Sequence, residues 1–168
     1  MHPLAELAKK SVESYIRDRK VFELSEADAE GLSEKAGVFV CLKKKDQLRG
    51  CIGTFMPAKQ HIADEIIANA VSAATQDPRF PPVTEDELED ISYSVDVLST
   101  PEKVSDLSEL DPRRYGVIVT KGSRKGLLLP DLEGVDTVKE QLNIAKMKAG
   151  ILPDEPVEIL RFEVKRYK

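Results

Sequence analysis

"GVFVCLKKKDQLRGCIGTF", residues 37–55, sets two apolar runs either side of a lysine-rich turn. Val38 to Leu42 follow one another without a polar break and read as a buried strand. "KKKDQ" supplies a polar turn, and "LRGCIGTF" (48–55) returns as a second strand. A run, a turn and a second run within nineteen residues make a β-hairpin. The second strand is unusual, because Gly50 and Gly53 flank Cys51 and Ile52. Glycine weakens a strand unless a bulge or a close backbone approach requires it.

The neighbouring segments follow from periodicity. Leu4, Leu7, Ala8, Ser11, Val12, Tyr15 and Ile16 recur at helical spacing, so an amphipathic helix precedes the hairpin. Residues 25–36 are polar and acidic and read as a loop or a short helix. After the hairpin, Pro57 is expected to open a helix striped by Ile62, Ile66, Ile67, Ala70, Val71 and Ala74. Asp77-Pro78 ends it, since proline restricts the residue before it. Thr84 and Glu87 have the spacing of a capping box. "ISYSVDVLS" (91–99) alternates as a strand with one buried face. "YGVIVTKGSRKGLLLP" (115–130) forms a second hairpin. A last helix carries Val135, Val138, Leu142, Ala145 and Ala149 and ends at Gly150, and residues 157–167 close as one strand. Strands paired in hairpins, with helices between the groups, give an α+β fold. Its sheet is mainly antiparallel, with flanking helices, not a doubly wound parallel sheet. No internal repeat is visible.

The chain has 168 residues, 41% hydrophobic and 33% charged, with a net charge of -5. One domain is expected over 1–168. The acidic balance argues against a generic nucleic-acid binder, although Lys43 to Lys45 and Lys121 to Lys125 concentrate positive charge locally. Both basic runs also read as solvated turns. Residues 1–10 carry Glu6, Lys9 and Lys10 and no continuous apolar run, so no signal peptide is expected. No stretch approaches the ~20 apolar residues that span a bilayer. A soluble cytoplasmic protein, with no membrane association, is the expectation. The two cysteines and two histidines lack metal-ligand spacing, so no metal and no cofactor is expected.

Several residues carry chemistry. Arg49 and Cys51 fall on one strand face, where a guanidinium would lower the thiol pKa and favour the nucleophilic thiolate. Thr54 stands at the strand end, before helix N–H groups that could receive an anion. The alternative is a buried, inert Cys51 with glycines that permit a bulge or close helix packing. A disulfide with Cys41 requires the two to lie on paired strands; reduced cysteines, with Cys41 in the core, are the expectation for a cytosolic chain. His61 is a candidate base or a solvated helix residue, and His2 lies at a terminus expected to fray. "DPRFPP" (77–82) holds Arg79 on a stiff loop, either as an anion clamp or in a salt bridge to Asp77, with Phe80 plugging the core.

"LRGCIGTF", "DPRFPPV", "GLLLP" and "KAGI", in that order, resemble the AMMECR domain family, whose prokaryotic members are labelled AmmeMemoRadiSam system protein A. The resemblance covers residues 5–165, and "RGCIGT" (49–54) is its hallmark. It implies an α+β fold in which two unequal lobes share a core. It also implies an association with a Memo-like protein and a radical SAM enzyme as partners. It supplies no reaction. Arg49, Gly50, Cys51, Ile52, Gly53 and Thr54 carry over as the hallmark, and Asp77 to Pro81 as a second segment. Two functions follow as expectations. One is an enzyme, or enzyme component, that binds a small anionic or nucleotide-like substrate. In it Cys51 and Thr54 would be catalytic, and Arg49, Gly50, Gly53, Asp77 and Arg79 would bind substrate. The other is a non-catalytic adaptor module for the Memo-like or radical SAM partner.

Overall fold

The structure, a computed structural model, describes residues 1–168. In chain order its elements are α1 (Pro3–Asp18), α2 (Glu26–Ala29), β1 (Gly37–Lys44), β2 (Gln47–Thr54), α3 (Ile62–Thr75), β3 (Ile91–Leu98), β4 (Glu102–Lys103), β5 (Gly116–Lys121), β6 (Arg124–Leu128), α4 (Val138–Lys148), β7 (Glu158–Phe162) and β8 (Val164–Tyr167). The α+β class is as expected. The chain divides into two compact units, Met1–Val97 with Lys165–Lys168, and Leu98–Val164. Each unit has its own apolar cluster and its own four-stranded sheet, ordered β2-β1-β3-β8 and β4-β7-β5-β6.

In the first unit, α1 starts at Pro3, whose missing N–H costs nothing at the first helical position. The His2 ring accepts the Leu4 N–H, and Arg19 ends the helix in the left-handed conformation. Leu4, Leu7, Ala8, Val12 and Ile16 turn into the core. The terminus is tied down: the His2 N–H donates to the Lys168 carbonyl at 2.7 Å, and its ring lies against Tyr167. β1 alternates, with Val38, Val40 and Leu42 buried on the helix-facing side. A fully buried leucine of this kind contributes about 1.5–3 kcal/mol. Lys45 and Asp46, both at positive φ, make the hairpin turn.

The next helix begins at Ile62 and not near Pro57. The Ile62 N–H is taken by the Glu34 carbonyl at 2.6 Å, and His61 is the N-cap. Residues 55–61 therefore stay as a loop. The helix stops at Thr75 before Asp77-Pro78, as expected. The Thr84–Glu87 capping box is present and opens a 3₁₀ turn over Glu85–Asp90.

In the second unit, Gly122 at positive φ turns the β5/β6 hairpin, and Gly150 follows the end of α4. The Leu152 N–H, then Lys121 and Arg124, donate to Glu155 and hold its carboxyl down to about 2. The final run 157–167 is two strands, not one. β7 belongs to the second unit's sheet and β8 to the first's, and the break falls at Glu163.

A topology recurs although no repeat was visible. A hairpin, a helix and a third strand give the order β2-β1-β3 in one unit and β6-β5-β7 in the other. Gly-Val-x-Val opens both hairpins, at 37–40 and 116–119. A basic residue then glycine, Arg49-Gly50 and Lys125-Gly126, meets the following helix in both. Motifs this short carry no periodic signal.

Candidate functional site: the hallmark strand and the loop it holds

The β1/β2 register decides what the hallmark does. Lys44 pairs with Gln47 and Lys43 with Leu48, but Leu42 pairs with Gly50. Arg49 is the extra residue of a β-bulge, and bulges re-aim side chains. Without it, Cys41 would face Gly50. With it, Cys41 faces Cys51 at a Cα separation of 4.1 Å, and the two form a disulfide. This corrects the expectation of a reduced pair: no free thiol stands at 51, and neither cysteine is core, since both are half-buried.

The bulge sends Arg49 toward the loop after α3. Its side chain is 12% exposed, and the guanidinium donates to both Glu87 carboxylate oxygens at 3.0 and 2.9 Å and to the carbonyls of Pro81 and Pro82 at 2.9 and 3.3 Å. Lys44 reaches the same carboxylate at 3.1 Å. Glu87 also accepts the Thr84 N–H at 3.0 Å. Arg49, then burial working in the opposite direction, then the Thr84 N–H set the Glu87 carboxyl, which sits well below the ordinary carboxylate range.

A second tie runs from Cys51. Its N–H donates to Asp77, whose side chain is 2% exposed, at 3.0 Å. Asp77 accepts Arg79 through Nε at 3.0 Å, Nη2 at 2.8 Å and the backbone N–H at 3.1 Å. The Arg79 guanidinium is foremost in holding the Asp77 carboxyl well below its ordinary value. Arg79 Nη2 also reaches the Cys51 carbonyl at 3.4 Å. Both guanidiniums stand over the Phe80 ring, Arg49 at 6.0 Å and Arg79 at 5.5 Å from its centre. It does not plug the core: it is half-buried and belongs to neither apolar cluster.

The remaining hallmark residues face other neighbours. Gly50 lies against the Ala73 carbonyl of α3 and leaves no space for a Cβ. The Phe39 ring lies across Gly53, its partner on β1. Thr54 points away from Cys51, to the helix side, where its hydroxyl bonds Glu65 and receives the Asn69 amide at 3.2 Å. Glu65, 2% exposed, accepts the N–H groups of Ala58 and Lys59 at 3.0 and 2.8 Å. The donors expected to receive a foreign anion beyond Thr54 thus hold the chain's own carboxylate. His61 lies outside this group, with Nδ1 3.4 Å from the Ser33 carbonyl.

The structure therefore brings Arg49, Asp77 and Arg79 together around one loop, with the Cys51 backbone between them. It places Thr54 on the opposite face. Glu65, Asn69 and Glu87 were absent from the expected site. Glu65 and Asn69 sit at helical spacing among Ile62, Ile66 and Ala73, and a polar residue on a buried stripe needs a partner.

Two expectations follow. Thr54→Val removes the hydroxyl that satisfies Glu65 and costs about 1–3 kcal/mol. Urea unfolding reads it, and an unchanged midpoint contradicts the network. Glu87→Gln changes the acid limb. A depressed native pKa stabilises the fold above the unfolded value of about 4.3 and stops doing so as pH falls toward the native value. The stability gap between wild type and Glu87→Gln should therefore narrow as pH drops below about 4.3, measured by urea unfolding across pH. A constant gap contradicts the Arg49–Glu87 pairing.

Comparison with known proteins bears on the whole chain. The AMMECR1 family model matches residues 5–167. A Thermotoga maritima protein is 60% identical over 99% of this chain and 98% of its own length. A Clostridium acetobutylicum protein is 51% identical over 99% of the chain, which spans only 36% of that longer protein. The crystal structure of uncharacterized protein PH0010 from Pyrococcus horikoshii superposes with a TM-score of 0.89 at 33% identity, covering 97% of this chain and 88% of that one. No helix here is long and apolar enough to cross a membrane. A match from the first helix to the last strand, with the same fold in a relative of one-third identity, means that the chain belongs to the AMMECR1 family.

Proposed function

We propose that the chain is a non-catalytic, cytoplasmic binding module that presents loop 77–82 to a protein partner. The Memo-like and radical SAM proteins suggested by the family resemblance are the candidates. The observation that carries this reading is the Arg49 guanidinium, spent on Glu87, Pro81 and Pro82. A half-buried arginine used this way braces a loop and leaves no fork for a substrate. The loop it braces is stiff with three prolines. It exposes Pro78, Arg79, Pro81 and Pro82 around a half-buried Phe80. Rigid loops with an aromatic and an arginine have the composition of binding hot spots.

The test is calorimetric titration of the full chain with a purified Memo-like protein. Arg79→Ala and Phe80→Ala should each weaken binding about tenfold or more, as hot-spot truncations do. Cys51→Ser should bind like wild type, with thermal unfolding reporting that each variant is folded. Wild-type affinity in both loop variants, or lost binding in a folded Cys51→Ser, rejects the docking reading.

One observation favours the enzyme reading. The Arg79 side chain is 54% exposed, so its outer edge could still meet an anion. Titration with inorganic phosphate and with ATP checks this: binding that Arg79→Ala abolishes would favour a small anionic ligand over a protein partner.

A further inference from the structure

We propose that Cys41 and Cys51 form a thiol–disulfide exchange site that reacts with small thiols and disulfides of the glutathione class. This reading is independent of what docks on loop 77–82.

Three observations lead to it. The first is placement. The cysteines are direct partners on adjacent strands, with ladder pairs on both sides: Val40 with Ile52 and Leu42 with Gly50. Opening the bond leaves the ladder in place, so both sulfurs stay within reach and the dithiol is prepared to close again. The second is topological. The bond spans ten residues of sequence, within one hairpin. A cross-link stabilises mainly by restricting the unfolded chain, and it does least for a short loop. The buried cluster of the first unit, built on α1, α3 and the inner face of β1, does not include either sulfur. The bond therefore adds less to the fold than a long-range cross-link would, and the core does not pack on it.

The third is access and charge. Both residues are half-buried, on the sheet face opposite α3. Exposed Lys43 follows two residues after Cys41, and the half-exposed Arg79 guanidinium stands at the Cys51 carbonyl. Positive charge favours an approaching thiolate and the thiolate that leaves. Asp77, which accepts the Cys51 N–H, pairs with Arg79, so Lys43 is the unshared positive charge of the two.

The step balances as follows. An external thiolate attacks one sulfur, the Cys41–Cys51 bond breaks, and the displaced sulfur leaves as a thiolate that takes a proton from water. A second external thiolate attacks the mixed disulfide at the external sulfur. The small disulfide departs, and the second protein thiolate is protonated. Two external thiols are oxidised to one disulfide, and the protein disulfide is reduced by two electrons. The reverse direction oxidises the dithiol with one small disulfide.

The experiment equilibrates the native full chain in mixtures of reduced and oxidised glutathione. It quenches with acid, alkylates with N-ethylmaleimide and reads intact mass. The expected result is complete interconversion between a form with two alkyl groups and a form with none. Circular dichroism should stay the same across the series. Cys41→Ser and Cys51→Ser separate the half-reactions, and at least one should acquire a single glutathione from the oxidised reagent. Four results would overturn the proposal. The bond could resist glutathione in the native state and open only in urea. Reduction could collapse the circular dichroism spectrum, which would mark a structural staple. The two thiols could fail to pair in oxidised glutathione. Neither variant could form the mixed disulfide.

Discussion

Replacing Arg49 with alanine should lower the unfolding free energy by about 3 kcal/mol, the lower end for breaking a buried ion pair from one side, because this pair is half-buried. The loss is large because four hydrogen bonds go at once, two to Glu87 and two to the carbonyls of Pro81 and Pro82. Glu87, 13% exposed, keeps Lys44 and the Thr84 N–H and hydroxyl, but no guanidinium, to offset its desolvation. Arg49→Lys recovers only part, because an ammonium cannot span both carboxylate oxygens and the carbonyls as a planar fork does. Urea unfolding of the three proteins provides the check. A loss under about 1 kcal/mol for Arg49→Ala would place the pair among ordinary surface bridges.

Gly50→Val should cost about 3 kcal/mol or more, at the upper end for overpacking. The atom that a Cβ would meet is the Ala73 carbonyl oxygen, part of the α3 backbone. A side chain could rotate aside, but a helix carbonyl cannot. Either β2 or α3 must shift, and both pack on the same core. Gly126 meets the Ala145 carbonyl of α4 in the same way, so Gly126→Val should destabilise comparably. Thermal unfolding of the two variants tests this, and a wild-type midpoint for either would show that the helix yields more easily than the packing implies.

The hairpin at 37–55 was legible because an apolar run, a polar turn and a returning run form a local pattern. The capping box at Thr84 and Glu87 was legible for the same reason: its chemistry lies within four residues. What the sequence could not show depended on register. The bulge at Arg49 shifts the pairing by one residue, and that shift places Cys51 opposite Cys41 and turns Arg49 to the loop. No residue type announces a bulge there; arginine between leucine and glycine fits a regular strand equally well. The site was therefore read as a thiol beside a guanidinium, whereas the structure shows a bonded sulfur and a guanidinium bound to a carboxylate 38 residues away. The break at Glu163 was hidden by a run of strand-forming residues that two sheets share. Pro57 suggested an early helix start because its φ suits one. The Glu65 carboxylate, by taking the Ala58 and Lys59 N–H groups, gives that stretch other partners. The Asp77–Arg79 bridge was readable as one of two choices, since both residues sit on one proline-stiffened loop.

The hallmark strand thus meets internal demands at every position: Arg49 and Cys51 toward the loop, Gly50 and Thr54 toward α3, Ile52 against the core and Gly53 beneath Phe39. Nitrogen-15 relaxation of the backbone, in wild type and Arg49→Ala, tests the bracing of the loop most directly. The amides of Arg79, Phe80 and Val83 should have order parameters near 0.85, the value for rigid backbone, in the wild type. In Arg49→Ala they should fall toward about 0.6, while α3 stays rigid. Equal order in both proteins would contradict the account, because the loop would then be held without the arginine.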